Sequence, residues 1–206
     1  MRYLSIDLET SGTDPDQSQI LEFAAVLENT RQPLLPVEEL PCLRLAVHHP
    51  LISGTVGALA INARLLQELS DARQKTNMPP DHCLPEEVLV RFAEFLDAQG
   101  VNRKKALVAA GKNFATFDLP FLQRLPGYGE LLWISNAVLD PALLYLNWQK
   151  DSKLPNMASC KRRAGLPEEV SHQALDDARD VVRLLRPFYS KAAAEAEQPD
   201  AEKEED

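Results

Sequence analysis

The segment Ser5-Ile6-Asp7-Leu8-Glu9-Thr10 carries two carboxylates, two residues apart. Residues 3–6 before them read as a buried strand. Side chains two apart in a strand face the same side, so Asp7 and Glu9 point together, off the end of that strand. Two like charges side by side repel unless a cation lies between them. Paired carboxylates on a rigid element suit a hard, oxygen-seeking metal such as magnesium or manganese. A second acid, Asp118, lies in Asn113-Phe114-Ala115-Thr116-Phe117-Asp118, after an apolar run at 106–110 that reads as a strand. A third group, His172-Gln173-Ala174-Leu175-Asp176-Asp177, opens an amphipathic helix. A histidine just ahead of a helix and an acid in its first turns can reach one cleft.

These side chains need a frame. Strands are expected at 20–27, 43–48 and 137–140 besides those at 3–6 and 106–110. Residues 29–41, rich in proline and acid, read as a loop. Residues 56–69 have helical periodicity, with Leu59, Ile61, Leu65, Leu66 and Leu69 apolar. Residues 71–85 form a connection. Pro85-Glu86-Glu87 begins a helix that runs to about Ala98 and stops at Gly100. Further helices are expected at 117–124, 141–148, 156–164 and 173–189. Strands first, then strands alternating with helices, indicate an α/β three-layer domain.

A chain of 206 residues has room for one full-sized core. Its apolar fraction of 45% and charged fraction of 26% are those of a globular protein, and no apolar run reaches bilayer length. Asp7 and Glu9 occupy the place where a signal peptide needs its apolar stretch, so a cytoplasmic location and no membrane partner are expected. Cys42, Cys83 and Cys160 are odd in number and far apart, which argues against a disulfide framework or zinc site. The net charge of −9 is unevenly spread. Residues 1–100 hold 7 basic and 15 acidic side chains, 101–191 hold 14 and 9, and 192–206 hold 1 and 7. Residues 1–191 are therefore expected to form the domain, and 192–206 an acidic, flexible tail able to bind a protein partner. An enzyme that grips only a strand end needs few phosphate contacts and need not be basic.

The three motifs, Asp7-x-Glu9-Thr10, Asn113-x-x-x-Phe117-Asp118 and His172-x-Ala174-x-x-Asp177, resemble in order and spacing those of the DEDD superfamily of 3′–5′ exonucleases. The histidine branch fits best: the DnaQ-like DEDDh group with proofreading exonucleases, oligoribonuclease and ribonuclease T. The resemblance covers roughly residues 3–188. It implies a ribonuclease-H-like fold, a mixed five-stranded sheet flanked by helices. It implies 3′–5′ hydrolysis of single-stranded DNA or RNA ends to nucleoside 5′-monophosphates, with two Mg²⁺ ions that Mn²⁺ replaces. It also implies roles. Asp7 bridges both cations, Glu9 and Asp177 hold the one that carries the attacking water, and Asp118 supports the second. His172 accepts the water proton, which suits an imidazole near neutral pH.

Asp176 is a rival to Asp177; the resemblance, through the family's spacing from His172, implies Asp177, with Asp176 on the outside and Asp180 continuing that exposed face. Thr10 and Asn62 are candidates for the terminal nucleotide, Asn113 for orienting nearby backbone, and Phe114 for stacking on a base. For each, a structural role competes: turn residue, exposed helix residue, or core. Phe117 reads as core rather than as a stacking platform. Lys161-Arg162-Arg163 either tracks phosphates or is a solvated helix end. His48, His49 and His82 read as loop residues. The competing functional class is a catalytically silent module that retains the fold for binding or assembly. The substrate sugar, a homodimer, and a role in DNA repair stay open.

Overall fold

The computed structural model describes residues 1–33, 35–169 and 171–196, with 191–196 by backbone alone. Its frame is a sheet in the order β4-β3-β2-β1-β5. The strands are β1 (Arg2–Thr10), β2 (Ile20–Asn29), β3 (Cys42–Val47), β4 (His82–Cys83) and β5 (Ala109–Ala110). β1, β2 and β3 form an antiparallel meander, while β5 joins β1 and β4 joins β3 in parallel. This is the expected mixed five-stranded sheet, with one substitution among its members. Residues 137–140 give only an isolated bridge, Ala110 with Leu139, and the fifth strand is β4 inside the expected connection.

Alternation in β1 divides the layers. Leu4, Ile6 and Leu8 enter the main core, with Phe23 and Ala25 of β2 and Phe92 and Leu96 of α3 (Val88–Ala98). Tyr3 goes to the opposite face, packing with Val181, Val182 and Leu185 of the long C-terminal helix α6 (Ala174–Ala196). Asp7 and Glu9 share Tyr3's parity and so its face of the sheet. β1 does not stop at residue 6. It continues through Thr10, so the two carboxylates stand on the strand rather than beyond its end.

The expected helix at 56–69 is two helices, α1 (Val56–Ile61) and α2 (Ala63–Arg73). The break is Asn62, whose side-chain amide donates to Ala58 O (3.2 Å) and Thr10 O (3.3 Å), competing with the helical backbone pattern. A short helix α4 (Asp118–Leu122) follows β5, and α5 (Met157–Arg163) packs beside α6 through Cys160 and Leu184. Residues 141–148 supply only a 3-10 turn at Pro141–Leu143. The backbone of α6 carries the chain through Ala196, and residues 197–206 of the expected tail lie outside the described residues. No helix among the described residues is long and apolar enough to cross a membrane.

Candidate active site

The cleft is built where β1, α4 and the start of α6 meet. β5 is short and pairs only with Leu4 and Ser5, so the far half of β1 has a free edge on that side. Asp118, opening α4, uses that edge: its Oδ1 accepts from the Leu8 N–H at 3.1 Å. Gly111 lets the two segments approach. A Cβ there would lie 2.9 Å from Ile6 O and 2.9 Å from the Phe114 Cβ. On the other side a register shift between Glu9 and Thr10 leaves Leu21 unpaired and sets Glu22 opposite Glu9. Such bulges bend a strand and re-aim its side chains.

Two contacts bring α6 down onto this face. Ser5 Oγ donates to Ala178 O at 2.7 Å, and the Glu22 carboxylate accepts from Ala174 N at 2.8 Å, the first residue of the helix. Glu22 is buried, and its other oxygen pairs with Arg44 of β3. Arg44 in turn holds Glu68 of α2 and Asp81. The helix start is therefore anchored to three strands and α2. Glu22 and Arg44 were not among the expected site residues. An acid within the apolar run Ile20-Leu21-Glu22-Phe23-Ala24-Ala25 is the signal that pointed to such a partner, since a buried carboxylate needs one.

Asp7, Leu8, Glu9, Thr10, Asn62, Phe117, His172 and Asp177 all line one cleft of about 260 Å³. Glu9, His172 and Asp177 place ligand-capable atoms within 4.8 Å of one another. His172 is exposed at the rim, with a left-handed backbone (φ 50°) that non-glycine residues seldom adopt. Asp118 is buried just behind. The carboxylates sit in unfavourable company. Burial pushes Glu9 up to about 7, with Asp177 adding to it and the Asn62 amide opposing. Burial and then Asp180 push Asp177 up to about 6. Burial pushes Asp118 up to about 8, against the Leu8 N–H. Burial drives Asp7 well above the ordinary range, followed by Asp118, Asp177 and Glu9. Asp177 Oδ1 is buried without a hydrogen-bond partner among the described residues. The nearest buried ammonium, Lys161, is bound by Asp180 and Glu169 O. Four mutually repelling carboxylates with an unpaired oxygen fit a set of hard cations.

The remaining expectations divide. Thr10 is buried at the cleft, its hydroxyl donating to Gly12 O at 2.7 Å. Asn62 is buried, not an exposed helix residue, and its Oδ1 has no partner among the described residues. Phe114 is fully buried in the main core and cannot stack on a base. The turn after Asn113 (φ 60°) aims it inward, and Leu119 N bonds to Phe114 O at 2.9 Å. Phe117 is partly buried, packs on the core and also lines the cleft. Asn113 lies outside the cleft, with its N–H held by Asp140 Oδ2 at 2.9 Å. Asp176 is half-exposed beside Arg179. Asp180 is not on an exposed face: it is buried against Lys161 and Arg183. Lys161, Arg162 and Arg163 are spent on Asp180, Glu168 and Asp151, so they do not form a phosphate track. His48 and His49 do lie in the loop after β3, whereas His82 belongs to β4; His48 and His82 are buried partners, with His48 Nε2 2.8 Å from His82 Nδ1.

No family model and no curated protein matches the chain. Solved structures do. Cell-death related nuclease 4 aligns at TM-score 0.58 and 14% identity, over 92% of this chain and 64% of its own. Exonuclease I of E. coli, in complex with a dT13 oligonucleotide, aligns at TM-score 0.60 and 12% identity, over 95% of this chain and 43% of its own. Exonuclease I of Methylocaldum szegediense aligns at TM-score 0.58 and 18% identity, over 93% and 42%. The chain spans less than two thirds of the length of each. It has the fold of these exonucleases, the ribonuclease-H-like fold that its motif resemblance to DnaQ-like DEDDh exonucleases implied.

Proposed function

We propose that the chain is a divalent-metal-dependent 3′–5′ exonuclease that releases nucleoside 5′-monophosphates from single-stranded nucleic acid ends. The observation that carries this is the meeting of Glu9, His172 and Asp177, with Asp7, in one cleft where an Asp177 oxygen has no partner among the described residues. The fold shared with exonucleases supports it, one of them in complex with a dT13 oligonucleotide. Asp7, Glu9, Asp118 and Asp177 would hold two Mg²⁺ or Mn²⁺ ions, which when bound supply charge neutralisation at the scissile phosphate and activation of water.

The chain's own residues do the rest. His172, at the exposed rim, accepts the proton of the attacking water. Asn62 Oδ1, buried and unpaired, accepts from a hydroxyl of the terminal nucleotide. Thr10, its hydroxyl turned to Gly12, contributes to the wall. A cleft of about 260 Å³ lies just below the usual range for small-ligand sites, roughly 300–1,000 Å³, and suits one terminal nucleotide rather than a continuous duplex.

The test is digestion of 5′-labelled DNA and RNA oligomers, single- and double-stranded, with magnesium or manganese and with EDTA. A ladder shortening from the 3′ end and abolished by EDTA is expected. Cleavage that survives the chelator overturns the metal-dependent reading. Binding of oligomers with no cleavage under any divalent cation establishes the silent module instead.

A further inference from the structure

The proposed reaction raises an electrostatic difficulty. Four carboxylates surround the cleft and the whole chain carries −9, yet a single strand brings one negative charge per nucleotide. Residues 101–191 carry an excess of base, but most of its cations are paired with carboxylates, among them Arg103, Arg124, Arg162, Arg163 and Arg183. Lys150 and Lys153 make no ion pair among the described residues.

Both lysines line one groove of about 680 Å³, together with Lys112, Asn113, Asn156 and Arg163. Its one lining carboxylate, Asp151, is bound at both oxygens by Arg163, which neutralises it and fixes the loop to α5. Lys150 sits on a turn closed by Lys150 N to Asn147 O (3.0 Å) and Asp151 N to Asn147 O (2.8 Å). The same turn displays Trp148, 84% exposed. A tryptophan held in water beside unpaired lysines has no role in the core. Free cations along a groove, with an aromatic face beside them, are the combination that grips single strands without reading sequence.

The groove adjoins the cleft. Asn113 lines the groove and Phe117 lines the cleft. Phe117 N donates to Asn113 O at 3.0 Å, so one helical turn, roughly 5–6 Å of chain, separates them.

We propose that this groove and the 147–151 turn are the track for the nucleic acid strand upstream of its 3′ end, with Lys150 and Lys153 on backbone phosphates and Trp148 stacked on a base. The inference rests on the nuclease reading for the direction of the strand, and it assigns how that strand is held.

The test is the affinity of the full chain for 5′-fluorescein-labelled dT12, measured by anisotropy in EDTA, which requires neither metal nor hydrolysis. The double variant K150E/K153E should weaken binding by about tenfold or more and flatten the slope of log affinity against log salt by roughly 0.7 per lysine. W148A should weaken it by roughly five- to a hundredfold. K104E/K105E makes the same charge change at exposed lysines outside this groove and should have little effect. Dinucleotide turnover, too short to reach the groove, should match wild type in every variant. Wild-type affinity in K150E/K153E overturns the track, as does an equal loss in K104E/K105E. Parallel loss of dinucleotide turnover in K150E/K153E also overturns it, because the loop would then serve the cleft. A wild type that hydrolyses nothing fails the nuclease reading alone, since the binding comparison still decides the groove.

Discussion

Removing the Asp177 charge should stabilise the cation-free protein at alkaline pH, against the usual effect of altering a buried residue. Asp177 is raised from 3.8 to about 6, chiefly by burial and then by Asp180. Glu9 is raised from 4.5 to about 7, by burial and then by Asp177. Each folded-state value lies above the unfolded one, so the folded protein holds these protons more tightly. The stability they contribute is full below about pH 4 and is lost as pH rises through 6 to 7. A tenfold change in proton affinity is worth about 1.4 kcal/mol, so ionised Asp177 costs about 3 kcal/mol at pH 8. Asp177→Asn removes that cost. Asp177 Oδ1 has no hydrogen bond to lose, and a buried unpaired amide takes back about 1 kcal/mol. The net gain is about 2 kcal/mol, or roughly 4–8 °C in Tm for a chain of this size. Thermal unfolding in EDTA should therefore show the variant above wild type at pH 8 and level with it or below at pH 4. Magnesium or manganese at about 100 times its Kd should then raise wild type at pH 8 by about 2.7 kcal/mol and the variant by far less. A variant that is less stable than wild type at pH 8 in EDTA would show that Asp177 is a satisfied structural group and not a cost to the cation-free fold.

In activity the two adjacent acids should separate. Asp177→Asn should abolish metal-dependent turnover while Asp176→Asn, at a half-exposed position beside Arg179, stays within a few-fold of wild type; equal losses would mean the wrong acid faces the cleft. His172→Ala should lower kcat by about a hundred- to ten-thousandfold at saturating metal, the range for removing a general base. Near-normal turnover restored by excess cation would instead make His172 a ligand, which its 4.8 Å grouping with Glu9 and Asp177 makes the sharp alternative. Phe114→Ala should cost about 3–5 kcal/mol of stability in urea unfolding, as for other buried phenylalanines. Unchanged stability with weakened oligonucleotide binding would return Phe114 to the nucleic acid.

β1 is buried on both faces, and it was legible because the two faces differ in kind, all apolar on one and carrying the carboxylates on the other. The alternation of Tyr3 to Glu9 gives both the core face and the carboxylate face of β1, which is why Asp7 and Glu9 were found from spacing alone. The sequence misplaced elements whose limits are set by distant partners. β4 is two residues long and exists because β3 offers it an edge. Residues 137–140 have strand composition but meet β5 where it is only two residues long, and a single bridge results. The periodicity of 56–69 was correctly helical, yet it could not show that Asn62 would turn its amide to Thr10 on another element. Phe114 has the same origin. Its place in the second motif suggested the substrate, and the left-handed Asn113 decides that it faces the core.

The motif residues supply the chemistry, but residues outside the motifs fix their geometry. Glu22 holds the first N–H of α6, and Ser5 holds Ala178 one turn later, so Asp177 is set between two contacts that both come from the sheet. Arg44 holds Glu22 in place while tying it to Glu68 and Asp81. Lys161, which the sequence offered as a phosphate contact, neutralises Asp180 one turn beyond Asp177. Arg183 holds the other Asp180 oxygen, so this carboxylate is paired on both sides. Each of these is an ion or hydrogen bond between residues far apart in the chain, with no periodicity to announce it. What the sequence does show is the demand: a charged residue in an apolar strand, or on the buried face of a helix, requires a partner. The demand can be read locally, and only the fold names the partner.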